Sequence, residues 1–303
     1  MYTVLQSTFL KALGWSILDS FWQMGMLWIV YLLITGNGKK LNANQRHNLA
    51  FLSLAAGALW FIASIYMNFG GEGKTFAFSA QSLGYVKLFT SAIEQSLPLI
   101  SAIYLVVILS LIIRLYRQYR HTHRLATTQL SKADPEIRVF LAHLAAQMGI
   151  KKEIRVFLSG LVHTPLTIGF LKPVILLPVA LVNNLTIKQT ESLILHELYH
   201  IQRNDFVMNL LLVFADILLF FNPFAKFFKS AIQQEREHRC DDIVVQFRYD
   251  PADYAKALLI VEQQRANTAA IFMAATGAKK LLLLARVKRL LTGETLAAPV
   301  LVP

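Results

Sequence analysis

The sequence predicts a helical membrane bundle joined to an α+β unit. Three observations carry this expectation: an apolar composition, three stretches long enough to cross a bilayer, and a later run of short strands followed by helices. Of the 303 residues, 55% are hydrophobic and 16% charged. A soluble chain of this size needs more charge to cover its surface, so a membrane protein is indicated. The net charge of +12 would suggest nucleic acid in a soluble protein. Here the basic residues cluster beside apolar spans, where attraction to anionic lipid and control of topology explain them. No nucleic-acid motif accompanies the charge, so no direct nucleic-acid partner is expected. The single cysteine, Cys240, excludes an internal disulfide.

Residues 1–116 are assigned to the membrane. Trp15 to Thr35, a stretch within Asn48 to Asn68, and Pro98 to Ile113 each approach the ~20 apolar residues that span a hydrocarbon core. The first contains Asp19 and Gln23; Asp19 is read as a group close enough to the outer interface to stay wet. The third is expected to end sharply at Arg114. The N-terminus lacks the features of a cleaved signal and is expected to remain as an anchor. Lys39, Lys40 and Arg46 follow the first span, and Arg114, Arg117, Arg120 and Arg124 follow the third. Between the second and third, Lys74 and Lys87 are balanced by Glu72 and Glu94. The positive-inside rule then places the N-terminus outside and everything after Arg114 in the cytoplasm.

Residues 117–293 form the α+β unit. Asp134-Pro135-Glu136 starts a helix, with an N-cap aspartate before proline at the first helical position. Val139, Leu141, Leu144 and Ala145 give that helix one buried face, and it ends near Gly149. Short strands are expected at 154–158, 166–170 and 174–177. Thr186 or Asn184 caps a helix containing Glu191 to Arg203. Phe206 to Ala225 is apolar enough to resemble a fourth span, but Asp216 and Asn222-Pro223 interrupt it. A membrane-associated helical hairpin over 206–235 is expected instead, because one crossing would separate residues that the metal chemistry below brings together. A basic amphipathic stretch, with Lys279, Lys280, Arg286, Lys288 and Arg289 around Leu281 to Leu284, is read either as lying on the anionic inner leaflet or as a surface helix leading to a further span.

His196-Glu197-Leu198-Tyr199-His200 has the H-E-x-x-H spacing. On a helix, positions four apart share a face, so both imidazoles can reach one tetrahedral zinc ion. Glu197 is displaced around the helix and can act as the base that takes a proton from the attacking water. Downstream, Glu237 and Asp241 are again four apart. Glu237 is the expected third ligand, and Asp241 is expected to accept the other N–H of a liganding histidine. Glu235 competes as ligand but has no aspartate one turn later. His238 is a further candidate, with an ordinary surface histidine the plainer role. Cys240 is read as a small packing residue on a different face from Glu237.

His196 to Asp205 (HELYHIQRND), Phe220 to Phe224 (FFNPF) and Glu235 to Asp242 (EREHRCDD) together resemble the BlaR/MecR family of membrane metallopeptidases. Leu13-Gly14-Trp15, Ser20-Phe21-Trp22-Gln23 and Gly169 to Pro178 add to the resemblance. It implies a gluzincin-type zinc metallopeptidase domain, with His196, His200 and Glu237 as metal ligands and Glu197 as catalytic base. It further implies a multi-pass protein of the bacterial inner (cytoplasmic) membrane, its zinc site facing the cytoplasm, cleaving a protein substrate such as a transcriptional repressor. The lipid bilayer is a second partner, and a homodimer is left open. The S-x-x-K of β-lactam-sensing members is absent, and the tail at 294–303 is too short for a span. Either the chain stops before a further span and its sensor, or its input is different. A quality-control zinc protease and a non-catalytic, zinc-braced transducer are the competing functions; an intact Glu197 favours catalysis.

Overall fold

The computed structural model describes residues 7–36, 41–70, 84–125, 128, 130–268 and 276–293, with side chains at 84–92, 125, 267–268 and 276–281 outside that description. Lys39, Lys40, Glu72, Lys74, the tail at 294–303 and the side chains of Lys87, Lys279 and Lys280 therefore lie outside the described residues. Two compact units form. The first comprises Met1–Lys39, Asn48–Tyr116 and Val213–Lys229; the second comprises Lys40–His47, Arg117–Leu212 and Ser230–Pro303. One division falls between Tyr116 and Arg117. The tip of the expected hairpin groups with the apolar helices, and residues 40–47 group with the α+β unit.

In the first unit, α1 (Thr8–Gly36), α2 (Ala43–Phe69) and α3 (Gly84–Leu125) contain the three candidate spans, the last over Ile93–Arg124. The third helix does not stop at Arg114, and it also continues through Pro98. Hydropathy ends there, but arginine is a good helix former, so the backbone has no reason to break. Small residues permit close helix approach: a Cβ on Gly57 would lie 2.1 Å from Met24 Sδ, and one on Gly14 would lie 2.8 Å from Leu97 Cβ. Gln23 Nε2 donates to Ser64 Oγ at 3.0 Å, and Ser101 Oγ donates to the Leu10 carbonyl at 2.6 Å. Leu59 and Val106 remain 68% exposed, as side chains facing lipid would.

The apolar stretch from Phe206 is broken as its sequence suggests. Helix α7 (Asp205–Leu218) stops, and α8 (Pro223–Gln246) begins after Asn222; the elements numbered α4 to α6 precede these in the chain and are described below. Asn222 Oδ1 accepts from the Phe224 and Ala225 amides at 3.0 and 3.4 Å, capping the new helix. Its Nδ2 donates to the Ser20 carbonyl at 2.9 Å. Asp216 is paired with Lys229 at 2.6 Å, so the charge inside the apolar helix is answered from the next one.

The second unit is built on a four-stranded mixed sheet in the order β1-β2-β4-β3, from β1 (Leu130–Lys132), β2 (Arg155–Ser159), β3 (Leu166–Ile168) and β4 (Val174–Pro178). β2 and β4 are parallel, while β1 and β3 pair antiparallel at the two edges. β1 is too short to show a period in the sequence. Helix α4 (Pro135–Gln147) is followed by Gly149 at φ +68°, a backbone that glycine adopts without strain. The short α5 (Val179–Asn184) leads to α6 (Ile187–Gln202). Thr186 starts α6 with a full capping box: its side chain accepts from Gln189 N, and the Gln189 side chain accepts from Thr186 N. The helices α9 (Pro251–Thr268) and α10 (Thr276–Thr292) complete the unit. Ile175, Leu177, Ile194, Leu195, Leu198, Val244 and Tyr254 form the centre of its core. Leu195 and Leu198 anchor α6 from below, which turns His196, Glu197 and His200 toward one cleft.

Candidate metal centre

The two histidines of α6 face one another, with Nε2 atoms 3.2 Å apart. Their other nitrogens are both engaged. His200 Nδ1 lies 2.7 Å from Asp205 Oδ2, and His196 Nδ1 lies 2.9 Å from the Tyr254 hydroxyl. Tyr254 in turn donates to Asp241 Oδ1 at 2.7 Å. Tyr254 therefore accepts from His196 Nδ1–H, and ionised Asp205 accepts from His200 Nδ1–H. With both imidazoles neutral, each turns a bare Nε2 acceptor toward the other, an arrangement suited to a cation between them. Glu237 Oε2 lies 3.6 Å from His196 Nε2. Ligands about 2.05 Å from a tetrahedral zinc are separated by ~3.3 Å, so these spacings fit such an ion.

Charge around the cleft is arranged in pairs. Arg286 grips Asp241 through Nε and Nη2 at 2.9 and 2.6 Å, and its Nη1 lies 3.2 Å from Glu237 Oε2. Burial opposes ionisation of Glu237 and Asp241, but the Arg286 guanidinium together with the neighbouring histidines outweighs it and holds both carboxyls below the usual range. Asp205 is likewise held low, against burial, by its hydrogen bond to His200. Burial also acts against a charged His200, but the Cys240 sulfur, Asp205 and Glu237 outweigh it and raise that imidazole. Burial, reinforced by Asp241, pushes the Tyr254 hydroxyl up and keeps it a donor. Glu197 is half-buried and receives a hydrogen bond from Thr167 Oγ1 at 2.7 Å. It shares a cavity of about 390 Å³ with His196, His200, Glu237 and Arg286.

Several expectations need correction. Asp241 reaches His196 mainly through Tyr254, its own oxygen being 3.5 Å from Nδ1. Cys240 is not on a face remote from Glu237. Residues three apart on a helix are neighbours, and the Cys240 sulfur lies 3.5 Å from His200 Nδ1. His196, His200 and Cys240 form a cluster whose ligand atoms lie within 4.8 Å of one another. The sulfur contact is on the Nδ1 side that Asp205 occupies, and burial raises the Cys240 thiol. Glu235 and His238 are not surface groups: they are 7% and 4% exposed. They turn toward the first turn of α2, where Glu235 meets Arg46 at 3.9 Å. That turn is distant in sequence, so nothing near Glu235 announces its cover. Arg286 and Arg289 are not the polar face of a lipid-surface helix; they turn inward to Asp241 and Asp242. Asp205, Tyr254, Arg286 and Thr167 were not assigned to the metal centre from the sequence. Only Asp205 carried a local signal, as an acid just beyond the helix bearing His200.

Residues 74–290 match the family model described as BlaR1 peptidase M56. The chain belongs to this family. It is 30% identical over 125 residues to the methicillin resistance mecR1 protein of Staphylococcus aureus, covering 40% of this chain and 21% of that protein. The same figures hold for the protein of that name from Staphylococcus epidermidis. The regulatory protein BlaR1 of Bacillus licheniformis is 32% identical over 87 residues, 29% of this chain and 14% of the relative. The chain thus matches about a fifth or less of the length of these curated relatives. M56 membership, bacterial relatives and three helices apolar enough to cross a membrane together describe a bacterial membrane protein of peptidase type.

Proposed function

We propose that this chain is a gluzincin-type zinc endopeptidase of the bacterial inner membrane, cutting a cytoplasmic regulator such as a transcriptional repressor. The observation that carries the reading is the pair of Nε2 atoms 3.2 Å apart with Glu237 Oε2 at 3.6 Å and Glu197 in the same cavity. His196, His200 and Glu237 would hold the ion. Glu237 is preferred to Cys240 because it approaches His196 at the free nitrogen and is kept ionised by Arg286.

Bound zinc would supply Lewis acidity and lower the pKa of water to about 7. The remaining steps belong to the chain. Glu197, with one oxygen held by Thr167, takes the proton from the attacking water and returns it to the leaving amine. Asp205 and the Tyr254–Asp241 pair fix both imidazoles as Nδ1–H tautomers. Arg286 neutralises Asp241 and steadies Glu237. A cytoplasmic position is supported by Arg46 before the second span and Arg114, Arg117, Arg120 and Arg124 after the third. The regulatory role rests on the resemblance and on the name of the Bacillus relative.

The test compares cellular proteomes carrying wild-type protein or Glu197→Gln. Fragments of one cytoplasmic regulator that vanish with the substitution are expected. Identical fragment sets, with zinc still bound to both proteins, would refute the proposal.

A further inference from the structure

The catalytic cavity is also lined by Lys152, Phe170 and Asn204. The other two cations of this wall have carboxylate partners: Arg286 has Asp241 and Glu237, and Arg236 lies 3.6 Å from Glu237 Oε1. Lys152 has none within ion-pair distance among the described residues. Its ammonium donates to Asn204 Oδ1 at 2.6 Å and lies 4.1 Å from the centre of the Phe170 ring, both neutral partners. These contacts hold the group in place without cancelling its charge.

The position is tied to the metal centre by the chain itself. Asn204 follows the end of α6 in a left-handed conformation, φ +56°, and directly precedes Asp205, the residue that holds His200. An ammonium has three N–H donors, and Asn204 takes one, so two remain for a ligand. A fixed cation with spare donors on a cleft wall favours an anionic group in whatever lies there.

We propose that Lys152, seated on Phe170 and Asn204, forms a substrate subsite that selects an aspartate or glutamate side chain near the bond to be cut. This rests on the peptidase reading above and adds the chemical class of substrate. The test digests a mixed peptide library with the zinc-loaded full chain in detergent and reads the residues flanking each cut by mass spectrometry. Wild type should enrich Asp or Glu at one fixed position, by about tenfold in kcat/KM over matched Gln or Asn peptides, and salt should erode the preference. Lys152→Met should abolish it, and Lys152→Glu should replace it with Lys or Arg. One flanking profile shared by all three proteins overturns the subsite while leaving the peptidase reading intact. No cutting by zinc-loaded wild type overturns the peptidase reading, and the subsite with it.

Discussion

Arg286 binds Asp241 with two hydrogen bonds, 2.9 and 2.6 Å, although 45 residues separate them in the chain. The same guanidinium reaches Glu237, so one arginine from α10 is shared between two carboxylates of α8. Removing one partner of a buried pair leaves the other charge unanswered, at a cost of about 3–5 kcal/mol. Arg286→Met should therefore lower the thermal midpoint of the metal-free protein in detergent, and Arg286→Lys should restore part of the loss. An unchanged midpoint in Arg286→Met would show that the pair contributes nothing.

Zinc retention after dialysis separates the candidate ligands. Glu237→Ala should lose most of the metal, whereas Cys240→Ala should keep it. Glu235→Ala should also keep it, but with reduced stability, because Glu235 is buried against Arg46 and His238. Loss of zinc in Cys240→Ala with retention in Glu237→Ala would make the ligand set His–His–Cys.

Tyr254→Phe removes the hydroxyl between His196 and Asp241 while keeping the ring in the core. Zinc affinity, measured by competition with a chelator, should fall roughly 10–100-fold, as should that of Asp205→Asn. Affinity equal to wild type in both would mean that the imidazoles need no such orientation.

Acid should destabilise the metal-free protein. Asp205, Glu237 and Asp241 are all held below their ordinary pKa values. Their contribution to stability is complete above the unfolded values, about 3.9–4.3, and is lost as pH falls through the lower folded values. Thermal midpoints should thus decline below about pH 4, and Asp241→Asn should decline less steeply. Parallel curves for the two proteins would contradict the assignment.

Orientation can be read with thiol labelling in a Cys240→Ser background. Lys188→Cys, on the exposed first turn of α6, should resist an impermeant reagent in intact cells and react after lysis. Gly70→Cys, just beyond α2, should label in intact cells. The opposite pattern would reverse the topology.

The sequence by itself determined the elements whose signals are local. Hydropathy marked three spans, Asn222-Pro223 marked the break between α7 and α8, and Thr186 marked the start of α6. The H-E-x-x-H spacing put two histidines on one face, and the four-residue step from Glu237 to Asp241 did the same for two carboxylates. Tertiary structure decided what surrounds them. Tyr254 and Arg286 reach the centre from helices whose sequences carry no metal-site pattern, and Arg46 covers Glu235 from the start of α2. Such contacts depend on how helix faces pack, and a residue's period along its own helix fixes its direction but not the partner it meets.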